Sequence, residues 1–342
     1  MADSGDVQTA VDRLATALNL SVLVEDRRQR PVWWSTRGAV DQTRTSTILD
    51  RHVDPQAADV VRRFGLDRAQ GPVRTPAMPE RGMWARWCVP ARHEGRLAGY
   101  LWVLDPAGTV TEERLGPLVE CAELAAGVLA TAASAALDLR RRRNELIDIL
   151  LARHDDGAAA ELARLEHLPH DTRVQVEAPA RAGGWALPKG MSAHVGTRRP
   201  RMATSGHPVP LVQLRLAAGR AEATLRAAAA GAQISPITWD SLGAWHLVVA
   251  APADVSVDDL HPAVAVLRAQ PRTELLTTTR VVLDHGGDVA AAAKDLHVHR
   301  TTLYYRLDRI RDLTGVDLRQ GQSGTHLQMA LWLDAYRRTA LG

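Results

Sequence analysis

Gly286, Gly287 and Asp288 form a triplet that two different kinds of site could use. In a nucleotide cyclase, a Gly-Gly-Asp triplet lies in a β-hairpin and a further acidic residue helps to bind the metal ion. Here Asp288 is followed by VAAAAKDL, a strong helix former in which the next carboxylate, Asp295, is too far along the chain to form part of such a loop. The local chemistry therefore argues against a catalytic loop.

The same triplet suits the boundary between two helices. The preceding tract, ELLTTTRVVLDH, has a helical pattern, and its C-terminal end needs the positive φ that Gly286 and Gly287 tolerate. Asp288 stands where an N-cap carboxylate would accept the first free N–H groups of a following helix. We therefore predict that a new helix begins directly after Asp288.

Apolar spacing predicts that this helix and the next one form a hairpin. The first apolar face is Val289, Ala292, Ala293 and Leu296, and the second is Leu303, Leu307 and Ile310. Helices this close cross steeply, so the contact needs a small residue, which Ala293 supplies, while Val298 would fill the space between them. His297 occupies the turn position where positive φ normally favours glycine. The pattern predicts a helix-turn-helix.

Helical geometry places polar side chains on the outward face of the second helix. Asp308 and Asp312 would repel phosphate, so only the N-terminal half is expected to enter a major groove. Arg300 and Tyr304 could reach base edges. Phosphate or mixed contacts are expected from Thr301, Tyr305, Arg306 and Arg309. The alternative is a plain helical hairpin within a bundle. Exposed tyrosines beside arginine argue against this alternative.

The tract LLTTTRVVLDHGGDVAAAAKDLHVHRTTLYYRLDRI resembles the C-terminal helix-turn-helix of PucR/CdaR-type bacterial transcriptional regulators. Its part LHVHRTTLYYRL is similar in turn to the Fis-type DNA-binding hairpin. The resemblance implies that His299, Arg300, Thr302 and Tyr304 face DNA. Several members have Asn and Arg where this chain has Thr301 and Tyr304, so a different site preference is expected. The tract LQMALWLDAYRR fits the family's final helix.

Residues 1–110 alternate between helical and strand patterns. VQTAVDRLATAL is helical, LSVLVED and RPVWWST are strand-like, and MWARWCVPAR and RLAGYLWVLD form a predicted hairpin with Gly95 in the turn. These patterns predict a small α+β domain with an antiparallel sheet and helices on one face. HEGRLAGYLWVLD resembles the sheet of a GAF-like sensor domain in actinobacterial members of the family.

Trp33, Trp84, Arg86 and Trp102 are candidate ligand-binding residues of this first domain. Aromatic side chains could line the apolar pocket of a sensor. The alternative is ordinary core packing, because the chain has nine Trp and one Phe. Arg86 alternates with Trp84 and Cys88, so on a buried face it would need an anionic partner, either a ligand or a Glu elsewhere in the chain.

The middle of the chain predicts a connector and a second domain. Residues 111–164 have a long helical pattern, which includes RRRR on a solvated face at 140–143, and their small residues suit a dimerising link. Residues 165–270 predict an α+β domain, with strands at TRVQVEA and AWHLVVAAP, a helix at VQLRLAAGRAEATLRAAAAG, and loop-like sequence over 178–210. By resemblance this is a degenerate cyclase-like domain without an intact metal or nucleotide signature, and residues 271–342 form the DNA-binding domain.

Composition limits the classes of function. The formal charge of +3 permits a nucleic-acid partner without requiring one, and two cysteines make neither a disulfide framework nor a zinc cluster. The first residues lack the features of a signal peptide. The longest uncharged apolar run, residues 124–137, is shorter than the roughly 20 residues of a membrane span. We expect a cytoplasmic protein without a catalytic, metal or cofactor site.

The expected fold class is α+β multidomain: a GAF-like sensor domain, a helical connector, a degenerate cyclase-like α+β domain and an all-α C-terminal helix-turn-helix. The expected function is sequence-specific transcriptional regulation by a dimer or higher oligomer on double-stranded DNA, with a small-molecule effector and RNA polymerase as further candidate partners and no membrane. Two alternatives stay open: a nucleotide-processing enzyme with a diverged middle domain, and a partner of the transcription machinery that does not bind DNA.

Overall fold

The computed structural model describes residues 3–51, 55–197, 203–270, 274–319 and 321–339. The described chain divides into two compact units, Met1–Arg141 and Arg142–Gly342. Two parts of the sequence predictions, residues 198–202 of the loop-like segment and residues 271–273 at the predicted start of the C-terminal domain, lie outside the described residues.

The first unit is built on an antiparallel sheet, as the sequence predicts. Its strands lie in the order β2-β1-β5-β4-β3. The elements are α1 (Ser4–Leu18), β1 (Val22–Asp26), β2 (Pro31–Ser35), α2 (Gln42–Asp50), α3 (Pro55–Arg63), β3 (Val73–Thr75), β4 (Arg86–His93) and β5 (Arg96–Leu104). The predicted hairpin is confirmed, because β4 pairs with β5 and the turn residues Glu94 and Gly95 have φ of 49° and 75°.

Both faces of this sheet are covered by helices. Alternation along the strands puts Val24 and Leu101 in one core, against α1, and Leu23 and Trp102 in a second core on the opposite face. Residues of α3, such as Val60, close the second core. The expectation of helices on one face only is therefore wrong. The sequences of α2 and α3 are mostly polar, and the few apolar residues that cover the second face were not recognised in them.

The predicted connector is one long helix followed by a break. Helix α4 (Leu115–Ala152) has 38 residues, and Asp155 then caps α5 (Asp156–Leu165) by accepting the Ala158 N–H at 2.9 Å. Within the described chain, the segment Glu112–Ala152 is long and apolar enough to cross a membrane by length and composition alone. Its residues Leu118 to Leu129 nevertheless contribute buried side chains to the core of the first unit.

The second unit contains the other sheet, in the order β10-β6-β8-β7 with β9 beside β6. The elements after α5 are β6 (Arg173–Ala178), β7 (Trp185–Leu187), β8 (Met191–Val195), β9 (Ala203–Thr204), β10 (Val209–Pro210), α6 (Leu214–Ala229), α7 (Trp245–Val249), α8 (Val257–Leu260) and α9 (Ala263–Arg268). The predicted strand β6 and helix α6 are confirmed.

Two predictions for this region are wrong. AWHLVVAAP contains the helix α7 and not a strand, because a short apolar run does not distinguish a buried helical turn from a buried strand. Part of the loop-like segment 178–210 forms β7 and β8, which pair from Trp185 to Leu187 with Met191 to Ala193. These strands were not predicted because they are short and because Gly and Pro residues surround them.

The chain ends in α10 (Glu274–Asp284), α11 (Val289–Asp295), α12 (Arg300–Thr314) and α13 (Gly321–Arg338). These helices share a core with α9, so the C-terminal segment is all-helical as predicted. Helix α13 also contacts the middle of the chain: Arg226 Nε of α6 donates to the Tyr336 carbonyl oxygen at 2.7 Å, and the rings of Trp245 and Trp332 stack with centroids 5.0 Å apart.

Candidate nucleic-acid interface

The boundary between α10 and α11 has the predicted chemistry. Gly286 and Gly287 adopt φ of 61° and 87°. Asp288 caps α11, and its carboxylate accepts the N–H groups of Ala290 at 2.8 Å and Ala291 at 3.1 Å. Both hydrogen bonds lower the pKa of Asp288, and the one from Ala291 has the larger effect. The Gly-Gly-Asp triplet is thus a helix boundary.

The hairpin of α11 and α12 packs through the predicted residues. The side chains of Ala292, Ala293, Leu303, Leu307 and Ile310 are buried. Val289, Leu296 and Val298 are half-buried and pack against the same core. Because the small side chains of α11 face the leucines of α12, the two helices can cross closely and hold α12 in a fixed orientation.

The turn between α11 and α12 forces a histidine into the left-handed region. His297 has a φ of 53° and an exposed side chain. A side chain with a Cβ destabilises that conformation by about 1–2 kcal/mol relative to glycine. The prediction that His297 stands at a glycine-like turn position is confirmed.

We expect His297→Gly to stabilise the hairpin by about 0.5–1 kcal/mol, since glycine relieves the left-handed strain but loses more entropy on folding. Native-state hydrogen exchange of the α11 and α12 amides would show this as slower exchange. His299→Ala is the matched control: it removes a cap and should speed exchange. Equal or faster exchange in His297→Gly would show that the turn is not strained.

His299 has a structural role at the start of α12. It is the N-cap, and its Nδ1 accepts the Thr301 N–H at 3.3 Å. The Thr301 hydroxyl lies 3.0 Å from the same nitrogen. Two of the predicted DNA-facing side chains are therefore held against each other at the tip of the helix.

The outward face of α12 is exposed and rich in aromatic and cationic groups. Tyr305 is 73% exposed and Tyr304 47% exposed, which is unusual for large aromatic side chains. The other predicted contact residues with exposed side chains are His299, Arg300, Thr301, Thr302 and Arg309. Farther along, Asp308 pairs with Arg311 at 3.3 Å, so the second half of the helix carries carboxylates that its first two turns lack.

Arg306 differs from the other predicted contacts. Its guanidinium is half-buried and donates to Glu274 Oε2 at 3.1 Å and to Thr278 Oγ1 at 3.3 Å. Both partners belong to α10. In this structure Arg306 therefore ties α12 to α10, and its terminal nitrogens already have acceptors within the domain.

A second cluster of charged groups is buried in the first unit, and sequence reasoning missed most of it. Asp41, the N-cap of α2, accepts the backbone N–H groups of Arg44 and Trp84, each at 2.8 Å, and pairs with the Arg86 guanidinium. The anionic partner of Arg86 thus lies within the chain, but it is an aspartate and not the expected glutamate. The one signal was Asp41 itself, a helix-capping residue type placed before QTRT.

Arg44 and Glu25 complete this cluster. Arg44 donates to Ser21 Oγ at 3.2 Å and to the Trp102 carbonyl oxygen at 3.4 Å, and burial lowers its pKa to about 9. Glu25 accepts the Trp102 indole N–H at 2.9 Å. Glu25, Arg44 and Arg86 line a cavity of about 20 Å³, roughly the room of one water molecule.

The four candidate ligand residues of this domain are not brought together. Arg86 and Trp102 line the small cavity on one face of the sheet. Trp33 packs in the core of the opposite face, and its indole donates to Ser4 Oγ at 3.0 Å. Trp84 contributes its backbone N–H to Asp41. One pocket lined by all four side chains is therefore incompatible with the geometry.

Glu25 gives this cluster a pH dependence. Burial raises its pKa from 4.5 to about 7. Because the folded-state pKa lies above the unfolded value, the folded protein keeps a proton between these pH values that the unfolded chain releases. The stability contributed by the neutral carboxyl is therefore complete below pH 4.5 and is lost as the pH rises through 7.

We expect the free energy of unfolding of Glu25→Gln, relative to that of the unaltered chain, to be larger at pH 8 than at pH 5. Glutamine keeps an acceptor for the Trp102 indole but cannot ionise. Urea denaturation followed by tryptophan fluorescence at both pH values would measure the difference in free energy of unfolding. The same difference at both values would show that Glu25 has an ordinary pKa.

Among the described residues, no group of three or more His, Cys, Asp or Glu side chains is placed to hold a metal ion. Cys88 and Cys121 are buried and unpaired, and burial raises the pKa of both thiols. Within the RRRR stretch, Arg142 binds Glu161 at 2.6 Å and Arg143 lies 3.7 Å from Glu166. These side chains belong to ion pairs rather than to a separate cationic site.

Comparison with known proteins finds a family match for the C-terminal segment. Residues 275–333 match the family described as the PucR C-terminal helix-turn-helix domain. The carbohydrate diacid regulator of Escherichia coli (strain K12) is 35% identical over 104 residues, which are 30% of this chain and 24% of that protein. The match thus spans about a quarter of the relative's length.

A solved structure, the regulator of polyketide synthase expression from Bifidobacterium adolescentis, aligns with 58% of this chain and 99% of its own. The sequence identity is 19% and the TM-score 0.25. Similarity at that level supports no conclusion about the fold of the remaining segments. The specific match is therefore the helix-turn-helix.

Proposed function

We propose that this chain, whose residues 275–333 match the PucR C-terminal helix-turn-helix domain, is a PucR/CdaR-type sequence-specific DNA-binding transcriptional regulator rather than an enzyme. The observation that carries the proposal is the exposed first half of α12. There Arg300, Tyr304 and Tyr305 project from a helix whose opposite face is fixed by the buried Leu303 and Leu307.

The contacts with DNA are assigned by position on α12. Arg300 and Tyr304 read base edges in the major groove, arginine to guanine being the most frequent specific contact. Thr301, Thr302, Tyr305 and Arg309 contact phosphate or the groove wall. His299 supports them as the helix cap. Arg306 would contact phosphate only by leaving Glu274, so its contribution in the free protein is to the domain.

The protein acts as a dimer or higher oligomer in this proposal. One hairpin offers too few contacts for useful specificity, and paired half-sites should lie at multiples of about 34 Å along the DNA. Helix α4 supplies a candidate self-association surface. Its residues 131–140 are exposed and include Leu137 and Leu139, which are 61% and 54% exposed.

The remaining segments take the roles that the resemblance implies. Residues 1–110 would be a GAF-like sensor that responds to a small-molecule effector, 111–164 a dimerising connector, 165–270 a degenerate cyclase-like domain and 271–342 the DNA reader. The sensor would bias the arrangement of the hairpins through the connector. A cytoplasmic location and a contact with RNA polymerase follow from the same role.

Fluorescence anisotropy of the full chain tests the proposal. The protein would be titrated onto the DNA upstream of its own gene and onto a scrambled duplex, from low to moderate salt. We expect tighter binding to the upstream duplex and an affinity that falls steeply with salt. Absence of binding to either duplex at low salt would overturn the proposal and favour a protein-interaction role.

A further inference from the structure

A ligand-sized cavity lies beside α6 in the second unit, away from the helix-turn-helix. Its volume is about 540 Å³, within the range of roughly 300–1,000 Å³ that small-molecule sites occupy. Its lining includes Arg215, Leu216 and Arg220 of α6, together with His154, which follows α4, and Trp239. None of the DNA-contacting residues lines it.

The lining is cationic. It includes two arginines and a histidine, and no lining residue carries a carboxylate. Arg215 uses one Nη1–H on the Ala152 carbonyl oxygen at 3.1 Å. Among the described groups, the buried Nε of Arg220 has no hydrogen-bond partner. His154 is 3.6 Å from the exposed Asp156, outside the lining. An anion in the cavity would therefore face two guanidinium groups without displacing a carboxylate of the lining, although the buried Arg220 Nε could reach it only after a shift of the side chain.

The rest of the cavity offers a flat apolar surface. The guanidinium of Arg220 lies 5.5 Å from the centre of the Trp239 ring, and Leu216 is 46% exposed beside it. A planar apolar group can pack on tryptophan and on the guanidinium plane. The wall thus fits an aromatic body, and the arginines fit an acidic group attached to it.

Gly219 leaves this space open. It lies in the interior of α6, where glycine is among the least favourable residues. A Cβ at this position would meet no atom within 4 Å, so packing of the chain does not require glycine. A larger side chain would project into the cavity. The helix thus carries an unfavourable residue at the point where a side chain would reduce the volume.

We propose that this cavity binds a small organic anion with a planar aromatic body, such as an aromatic carboxylate or sulfonate. Arg215 and Arg220 bind the acidic group, and Trp239 with Leu216 packs against the ring. The site is distinct from the DNA surface and from the charged cluster of the first unit, and the proposal does not depend on DNA binding.

The test uses the full chain and the fluorescent aromatic sulfonate 1-anilinonaphthalene-8-sulfonate, with the uncharged N-phenyl-1-naphthylamine as the comparison. We expect one saturable sulfonate site per chain. Arg215→Gln with Arg220→Gln should weaken sulfonate binding at least about tenfold while changing affinity for the neutral probe much less. Gly219→Leu should abolish the site for both probes and, by raising helix propensity, not destabilise the fold.

Ala229→Leu adds the same side chain at an exposed position of the same helix and should leave binding unchanged. Circular dichroism confirms that each variant is folded. The proposal is overturned if the unaltered chain shows no saturable sulfonate binding, if Gly219→Leu binds as tightly as Ala229→Leu, or if the arginine changes affect both probes equally.

Discussion

Replacing Asp41 with alanine is expected to destabilise the first unit by about 3–5 kcal/mol, because it leaves the buried Arg86 guanidinium without its carboxylate. The two side chains are 1% and 5% exposed. Asp41 also caps α2 and accepts the Trp84 N–H, so the substitution leaves two backbone donors without an acceptor as well. Arg44, buried beside the cluster, would lose one of the carboxylates that stabilise its charge.

Hydrogen exchange of the β1 and β4 amides measures this loss within the first unit. Glu113→Ala, which removes an exposed carboxylate from the same unit, is the matched control and should change exchange little. The double variant Asp41→Ala with Arg86→Met removes both charges and should recover part of the loss. A loss below 1 kcal/mol in Asp41→Ala, with no recovery in the double variant, would mean that the ion pair is not formed.

Arg300→Ala is expected to lower specific DNA affinity by about 1–3 kcal/mol, or roughly 5- to 150-fold. Arg300 is the first residue of α12, and its side chain is exposed at the end that would enter the groove. Loss of a base contact removes preference at one position of the site, whereas loss of a phosphate contact weakens binding to every sequence. The comparison of specific and scrambled duplexes separates these effects.

Arg311→Ala is the matched control for charge. It removes one arginine from the same helix about 16 Å along its axis, in the half that also carries Asp308 and Asp312. We expect it to leave specific affinity nearly unchanged. An equal loss in both variants, on both duplexes, would mean that α12 contributes only general charge.

The helix-turn-helix could be predicted in detail because its determinants are local. Gly286 and Asp288 favour the backbone conformation of the helix boundary, the break in the apolar pattern marks the turn at His297, and the contacts of α11 with α12 join residues close in sequence. The buried ion pair of the first unit joins Asp41 to Arg86 across 45 residues. No local pattern indicates such a pair, since a capping aspartate and a strand arginine each have many common roles.

The structure does not bring the predicted pocket residues of the first unit together, and the reason is related. The face on which a tryptophan lies depends on strand register. Trp33 is opposite Val24, whereas Trp102 is opposite Leu23, so the two rings point to different faces of the sheet. Their residue type predicts burial, but only the pairing decides which residues share a cavity. The cavity beside α6 has no local sequence signal either, because its lining brings His154, Trp239 and residues of α6 together from separate parts of the chain.

The most direct test of the central claim is a selection of DNA sequences bound by the full chain from a random duplex library, run in parallel with Arg300→Ala. We expect enrichment of paired half-sites at a spacing near one helical turn or its multiples, and a loss of preference at one base position of each half-site in the variant. No enrichment by the unaltered chain, or an identical motif for both proteins, would contradict the claim that the first half of α12 reads base sequence.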